Sequence, residues 1–151
     1  MMKYNKSYGE NGRDFQEYID YLNTIKNSMP IEFFNFISDP NRHNDSNESL
    51  HDSVLGSIQF LVDFKANYPN MIITLLGEMR EFKIYFTNVC KHKIEQNCGI
   101  NYLMTFEVGM EECKYDPDSD DGEIYLVFRA EFCDGEIEIC CEKIKIEEII
   151  Y

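Results

Sequence analysis

Asp134-Gly135 separates two runs in which apolar and polar residues alternate, Glu123–Phe132 and Glu136–Cys141. Alternation with a period of two is the pattern of a strand with one buried face. Asp-Gly is a preferred centre for a two-residue type I′ hairpin, so it sets an expected register. Pairing outward from that turn puts Phe132 opposite Ile137, Ala130 opposite Ile139 and Phe128 opposite Cys141 on one face. The other face then collects Glu131 with Glu138 and Arg129 with Cys140, extended by Glu123, Tyr125 and Glu136. Beyond Cys141 the phase slips, because the next apolar residues are Ile144 and Ile146. One extra residue near Glu142-Lys143, a β-bulge, would bring Leu126 opposite Ile144 and Ile124 opposite Ile146.

The rest of the chain supplies the partners of this hairpin. Residues 1–12 are polar and without period, which predicts a flexible tail ahead of a single domain over 13–151. Phe15, Tyr18, Ile19, Leu22 and Ile25 form one apolar stripe and predict an amphipathic helix from about Arg13 to Lys26. Pro30 followed by Ile31, Phe33, Phe34, Phe36 and Ile37 predicts a second, short helix. Asn41–Ser49 is rich in turn formers and is expected to be a loop without an apolar anchor. Strands are then expected at 54–64, 71–76, 82–89 and 102–111, the second and third joined through Gly77-Glu78-Met79-Arg80. The expected fold is therefore α+β, with two N-terminal helices on one face of a roughly six-stranded, mostly antiparallel meander sheet.

Charge restricts what such a domain can bind. The 151 residues hold 14 basic and 28 acidic side chains, a formal net charge of −14. The last 51 residues, 101–151, contribute 4 and 15 of these, so −11 of the −14 lies there. Phosphate backbones and anionic membranes repel such a surface, so a basic protein partner is its natural complement, with no nucleic acid and no membrane. On the hairpin register, the expected partner-binding residues are Glu107, Glu111, Asp118, Asp120, Asp121, Glu123, Glu131 and Glu138. The six cysteines lack a Cys-x-x-Cys pair, and Met1–Asp14 lacks the apolar run of a signal peptide. Reduced thiols in a cytoplasmic protein are the expectation.

Two strings invite a chemical reading. Asp116–Glu123 carries alternating carboxylates, but an EF-hand register would put Asp121 where glycine is needed and Val127 where the bidentate glutamate belongs. Leu50-His51-Asp52-Ser53 sets the three residue types of a catalytic triad side by side. Neighbours entering a strand point to opposite faces, whereas a triad draws its members from separate segments. Asp52 and Ser53 are expected to bond backbone groups where the strand begins, with His51 packed under the helices. No catalytic, metal or cofactor-binding residue is expected, and the chain is read as a non-enzyme.

The run from Pro30 through Ser49-Leu50-His51-Asp52-Ser53 resembles small bacterial proteins that open their first strand with Leu-His-Asp-Ser or Leu-His-Asp-Ala. It is also similar to immunity-type proteins encoded beside polymorphic or contact-dependent toxins. The resemblance covers about residues 29–89. It implies a protein that binds and blocks a cognate toxin, often a nuclease with a basic surface, without chemistry of its own. Two other classes compete with it: a metal-dependent enzyme around His43, His51 and Asp52, and a homo-oligomeric structural domain. The sequence pattern is compatible with a monomer or an oligomer.

Overall fold

The Phe15 stripe forms the helix α1, Phe15–Ile25, which buries Tyr18 and Leu22. Pro30 caps the helix α2, Ile31–Ile37, whose Phe33, Phe34, Phe36 and Ile37 are all buried. Six strands follow: β1 Val54–Leu61, β2 Asn70–Leu76, β3 Arg80–Gln96, β4 Leu103–Cys113, β5 Glu123–Phe132 and β6 Gly135–Ile150. This computed structural model describes residues 2–6, 15–97, 99–114, 118 and 122–151. The expected α+β class, two N-terminal helices and six antiparallel strands are observed.

The strand order is β1-β2-β3-β6-β5-β4. The expected single meander therefore resolves into two three-stranded meanders, joined where β3 lies along β6. That join is the longest pairing in the sheet, running from Arg80↔Ile150 to Gln96↔Gly135. Strands of 17 and 16 residues can share so long a ladder, which is why β6 continues past the end of its hairpin partner. The two edge strands also meet at one corner. Asp52 N–H donates to Leu103 O and Leu103 N–H to Ser53 O, both at 2.8 Å, and Leu55 N–H donates to Asn101 O at 3.1 Å. A sheet whose edges touch is strongly curved. Its inner face packs on α1 and α2 through Phe82, Phe86, Phe106, Phe128, Ile139 and Ile144 in one continuous core.

Several expected registers differ in detail. The hairpin pairs Ala130 with Ile137, Phe128 with Ile139 and Leu126 with Cys141, two residues away from the expected register. Tertiary contacts override the turn preference. Asn101 accepts from Asp134 N–H at 3.0 Å and donates to Asp134 O at 2.6 Å, while Cys133 N–H donates to Tyr102 O. Asp134 lacks the positive φ that a type I′ turn demands, and only Gly135 has it, at +105°. Parity is kept, so the same residues face the core, but Arg129 now stands opposite Glu138. The phase slip after Cys141 is present, with Glu142 and Lys143 exposed and Ile144 buried. The register shift, however, lies on β3 between Val89 and Lys91, next to Asn88 at φ +53°. Ile144 and Ile146 pair with Phe86 and Ile84 of β3 instead of with β5. The first strand also stops at Leu61, leaving Val62 and Phe64 outside it and exposed.

Residues 2–6 and the 41–49 loop are more ordered than their polarity predicts. Met2 and Asn5 are buried, and the loop has an apolar anchor in His43, whose ring stacks on Phe106 at 4.1 Å. His43 Nε2 lies 2.8 Å from Ile37 O, so that nitrogen carries the proton, and Nδ1 accepts from Asn5 Nδ2 at 3.3 Å. Burial pushes the imidazole down to about 4, against smaller opposing effects of Ile37 O and Asp39.

Two predictions follow from this packing. A Cβ at Gly135 would sit 1.8 Å from Glu95 O, so Gly135→Ala should cost at least about 2 kcal/mol in urea denaturation. His43 is neutral when folded and has an ordinary value of 6.5 when unfolded. Its contribution is therefore complete above 6.5 and is lost as pH falls toward 4, approaching about 3 kcal/mol. Denaturation midpoints measured across that window should fall steeply for the wild type and more gently for His43→Gln.

Candidate interaction surface

Of the carboxylates singled out in the sequence, Glu107, Glu111, Glu123, Glu131 and Glu138 lie on the β4-β5-β6 meander. Glu107, Arg129 and Glu138 are direct cross-strand neighbours on three adjacent strands. Arg129 donates from Nη1 to Glu107 at 3.3 Å, from Nη2 to Glu111, and from Nε to Glu138 at 2.7 Å. Burial opposes the charge on Arg129, but the hydrogen bonds it donates to Glu111 and Glu138 outweigh it and hold the guanidinium firmly protonated. Burial likewise acts to raise the Glu111 carboxyl; Arg129 and Lys3 overcome it and hold that carboxyl below its ordinary range.

Glu107 was expected on a solvated face and is instead fully buried. The cause is the N-terminal segment, which crosses the outside of β4. Backbone N–H groups of Lys3, Tyr4 and Asn5 donate to the Glu107 carboxylate at 2.8, 2.7 and 2.8 Å. Tyr4 then lies flat over Gly109, where a Cβ would come within 2.2 Å of its ring. It stacks on Tyr21 of α1 at 4.1 Å, with the planes 5° apart. The same elements satisfy the free edge of β4. Tyr18 Oη accepts from Val108 N–H and donates to Val108 O, Tyr21 Oη accepts from Met110 N–H, and Asn5 Nδ2 donates to Phe106 O.

The remaining expected residues divide. Asp118 and Glu123 are exposed, Glu131 is half-buried, and Glu138 is tied to Arg129. Asp120 and Asp121, with Asp116 of the candidate calcium string, lie outside the described residues. At the Glu123 end of the face a groove of about 560 Å³ is lined by Tyr68, Tyr125, Asn88, Glu123 and Glu142, with Lys65 the single basic residue among its lining. Tyr125 Oη donates to Glu123 at 2.9 Å, and Asn88 Nδ2 donates to Glu142. The sequence did not single out Tyr68, Asn88 or Glu142 as site residues, because the groove joins segments distant in the chain. Arg129 had a readable signal, being the one basic residue between Tyr115 and Glu142.

The Leu50–Ser53 string is built into the fold. Leu50 is in the core, Ser53 Oγ donates to Leu50 O, and Asp52, at φ +65°, sends its N–H to β4. His51 Nδ1 is 3.2 Å from Asp52 and 3.8 Å from Asp45. His43 is not brought to this group, and both of its nitrogens are engaged elsewhere. Among the described residues no set of three His, Cys, Asp or Glu side chains is placed to hold a metal ion. Cys90 Sγ donates to Cys140 O at 3.4 Å. Burial pushes Cys90 up to about 11 and Cys140 and Cys141 higher, so these three are protonated packing groups at neutral pH.

No protein-family model matches this chain, and no curated protein or solved structure matches it. No helix among the described residues is long and apolar enough to cross a membrane. The geometry of the surface makes its own prediction. Glu107→Ala removes the acceptor for three backbone donors and one guanidinium N–H, so it should cost about 3 to 5 kcal/mol. It should also speed amide exchange at Lys3–Asn5. Glu123→Ala, at an exposed position, should stay within about 0.5 kcal/mol of the wild type.

Proposed function

We propose that this chain is an immunity-type binding protein that holds a basic protein partner, of the nuclease-toxin kind, against the acidic end of its outer sheet face. The observation that carries the reading is the groove that sets Glu123 and Glu142 beside Tyr68 and Tyr125. Two carboxylates beside aromatic rings suit an arginine or lysine side chain, which gains charge-assisted hydrogen bonds and cation–π contact together. The −11 charge of residues 101–151 supports the reading from a distance, because a field of that sign steers a cationic partner toward the face before contact. The Leu50–Ser53 resemblance supports it independently. Inhibition by occlusion asks for a rigid, charged surface and no reacting group.

Co-expression with the product of the adjacent open reading frame, followed by association kinetics on the purified pair, tests this. Protection of the cell and a tight complex are expected. Glu123→Lys with Glu142→Lys should slow association about tenfold or more at low salt, and the wild-type rate should fall as salt rises. A rate indifferent to both salt and the double reversal would overturn the proposed face.

A further inference from the structure

The two edges of the sheet are treated differently. Along β4 from Phe106 to Met110, the outward backbone groups are met by Asn5, Tyr18 and Tyr21. Along β1 the neighbouring β4 reaches only Ser53–Leu55. Among the described residues, the segment Gly56–Leu61 hydrogen-bonds only to β2. Its side chains are also uncovered: Phe60 is 46% exposed and Leu61 49%, and Val62 and Phe64 beyond them reach 72% and 102%. An unpaired, uncharged, apolar edge is a template for another strand, and folded proteins otherwise block such edges with charge, proline or a covering element.

We propose that a second copy of this chain seats on β1, the two β1 strands pairing antiparallel about a twofold axis at Gln59, so that the sheets run on into one another. Charge decides the occupant. Two chains of −14 repel each other wherever their acidic faces approach. Among the described strands, β1 and β2 alone carry no ionisable side chain, and β1 lies at the opposite end of the strand order from β4-β5-β6. A second copy can approach there with least repulsion, whereas a basic partner finds no charge on β1 to recognise. The sequence suits self-pairing as well. About that axis Leu61 of one copy meets Ser57 of the other, large against small, and Phe60 meets Ile58, each contact repeated on both sides of the axis as an isologous interface requires.

The test is sedimentation equilibrium of the full chain in reducing buffer at low and high salt. A dimer is expected that tightens with salt, since screening weakens the −14 against −14 repulsion; this is the opposite dependence to that of a basic partner. Phe60→Lys with Val62→Lys should weaken dimerisation at least about tenfold while leaving the unfolding midpoint near that of the wild type. Should that variant fold poorly, Gln59→Lys, at an exposed position, gives the same readout. Glu123→Lys with Glu142→Lys should leave the dimer intact, which separates this interface from the proposed partner face. A wild-type chain that stays monomeric at its highest soluble concentration, or a dimer that survives the β1 lysines unchanged, overturns the proposal.

Discussion

A carboxylate taken out of water must be given donors for both of its oxygens, or it costs several kcal/mol. Glu107 meets that demand with three backbone N–H groups from Lys3, Tyr4 and Asn5 and a fourth donor from Arg129. Much of the architecture depends on this arrangement. The donors fix residues 3–5 across the outside of β4, and that places Tyr4 over Gly109 and against Tyr21. The stack helps set the rotation of α1, so that the Tyr18 and Tyr21 hydroxyls reach the β4 edge. On the other side, the Arg129 fork orients Glu111 and Glu138. One desolvated anion thus couples a terminal segment, a helix and three strands.

The curvature of the sheet has local causes that act together. Register shifts interrupt β1 between Leu55 and Ser57, β3 between Val89 and Lys91, and β4 between Leu103 and Thr105. Irregularities of this kind bend a strand and increase its twist. With three of them the edges are close enough for Asp52 and Ser53 to bond Leu103. The positive φ of Asp52 is explained by the same closure, because the chain must turn sharply from the core residue Leu50 into the β1 edge. The Leu-His-Asp-Ser string is therefore a clasp between the first and fourth strands.

The elements carried by local periodicity were legible in the sequence, and those set by distant contacts were not. The stripe from Phe15 to Ile25 and the aromatic run after Pro30 form helices because their apolar spacing leaves few alternatives. The face on which Phe128, Ala130, Ile137 and Ile139 sit survived a two-residue change of register, since parity alone decides which side of a strand is buried. The register itself was lost to Asn101, which no local rule links to Asp134. Glu107 failed for a related reason. Alternation assigned it correctly to the outer face, but its burial comes from residues more than a hundred positions away, and a polar N-terminal segment gives no local sign that it will pack there. The groove at Tyr68 and Tyr125 was illegible on the same grounds.

On the proposed reading, the carboxylates available for recognition are those left over once the fold has used its share. Glu111 and Glu138 face Arg129, Glu136 faces Lys93, and Glu148 faces both Arg42 and Arg80. Each of these is answered by a cation, so its field at a distance is largely cancelled. Glu123 and Glu142 are answered differently, by the Tyr125 hydroxyl and the Asn88 amide. Neutral donors orient a carboxylate without cancelling its charge. The same groove therefore sets two carboxylates beside two aromatic rings, and among the described residues neither carboxylate stands in an ion pair that a partner's cation would have to break. That difference in partner, cation for some glutamates and neutral dipole for others, distinguishes the Glu123 and Glu142 end of the acidic outer face from the rest of it.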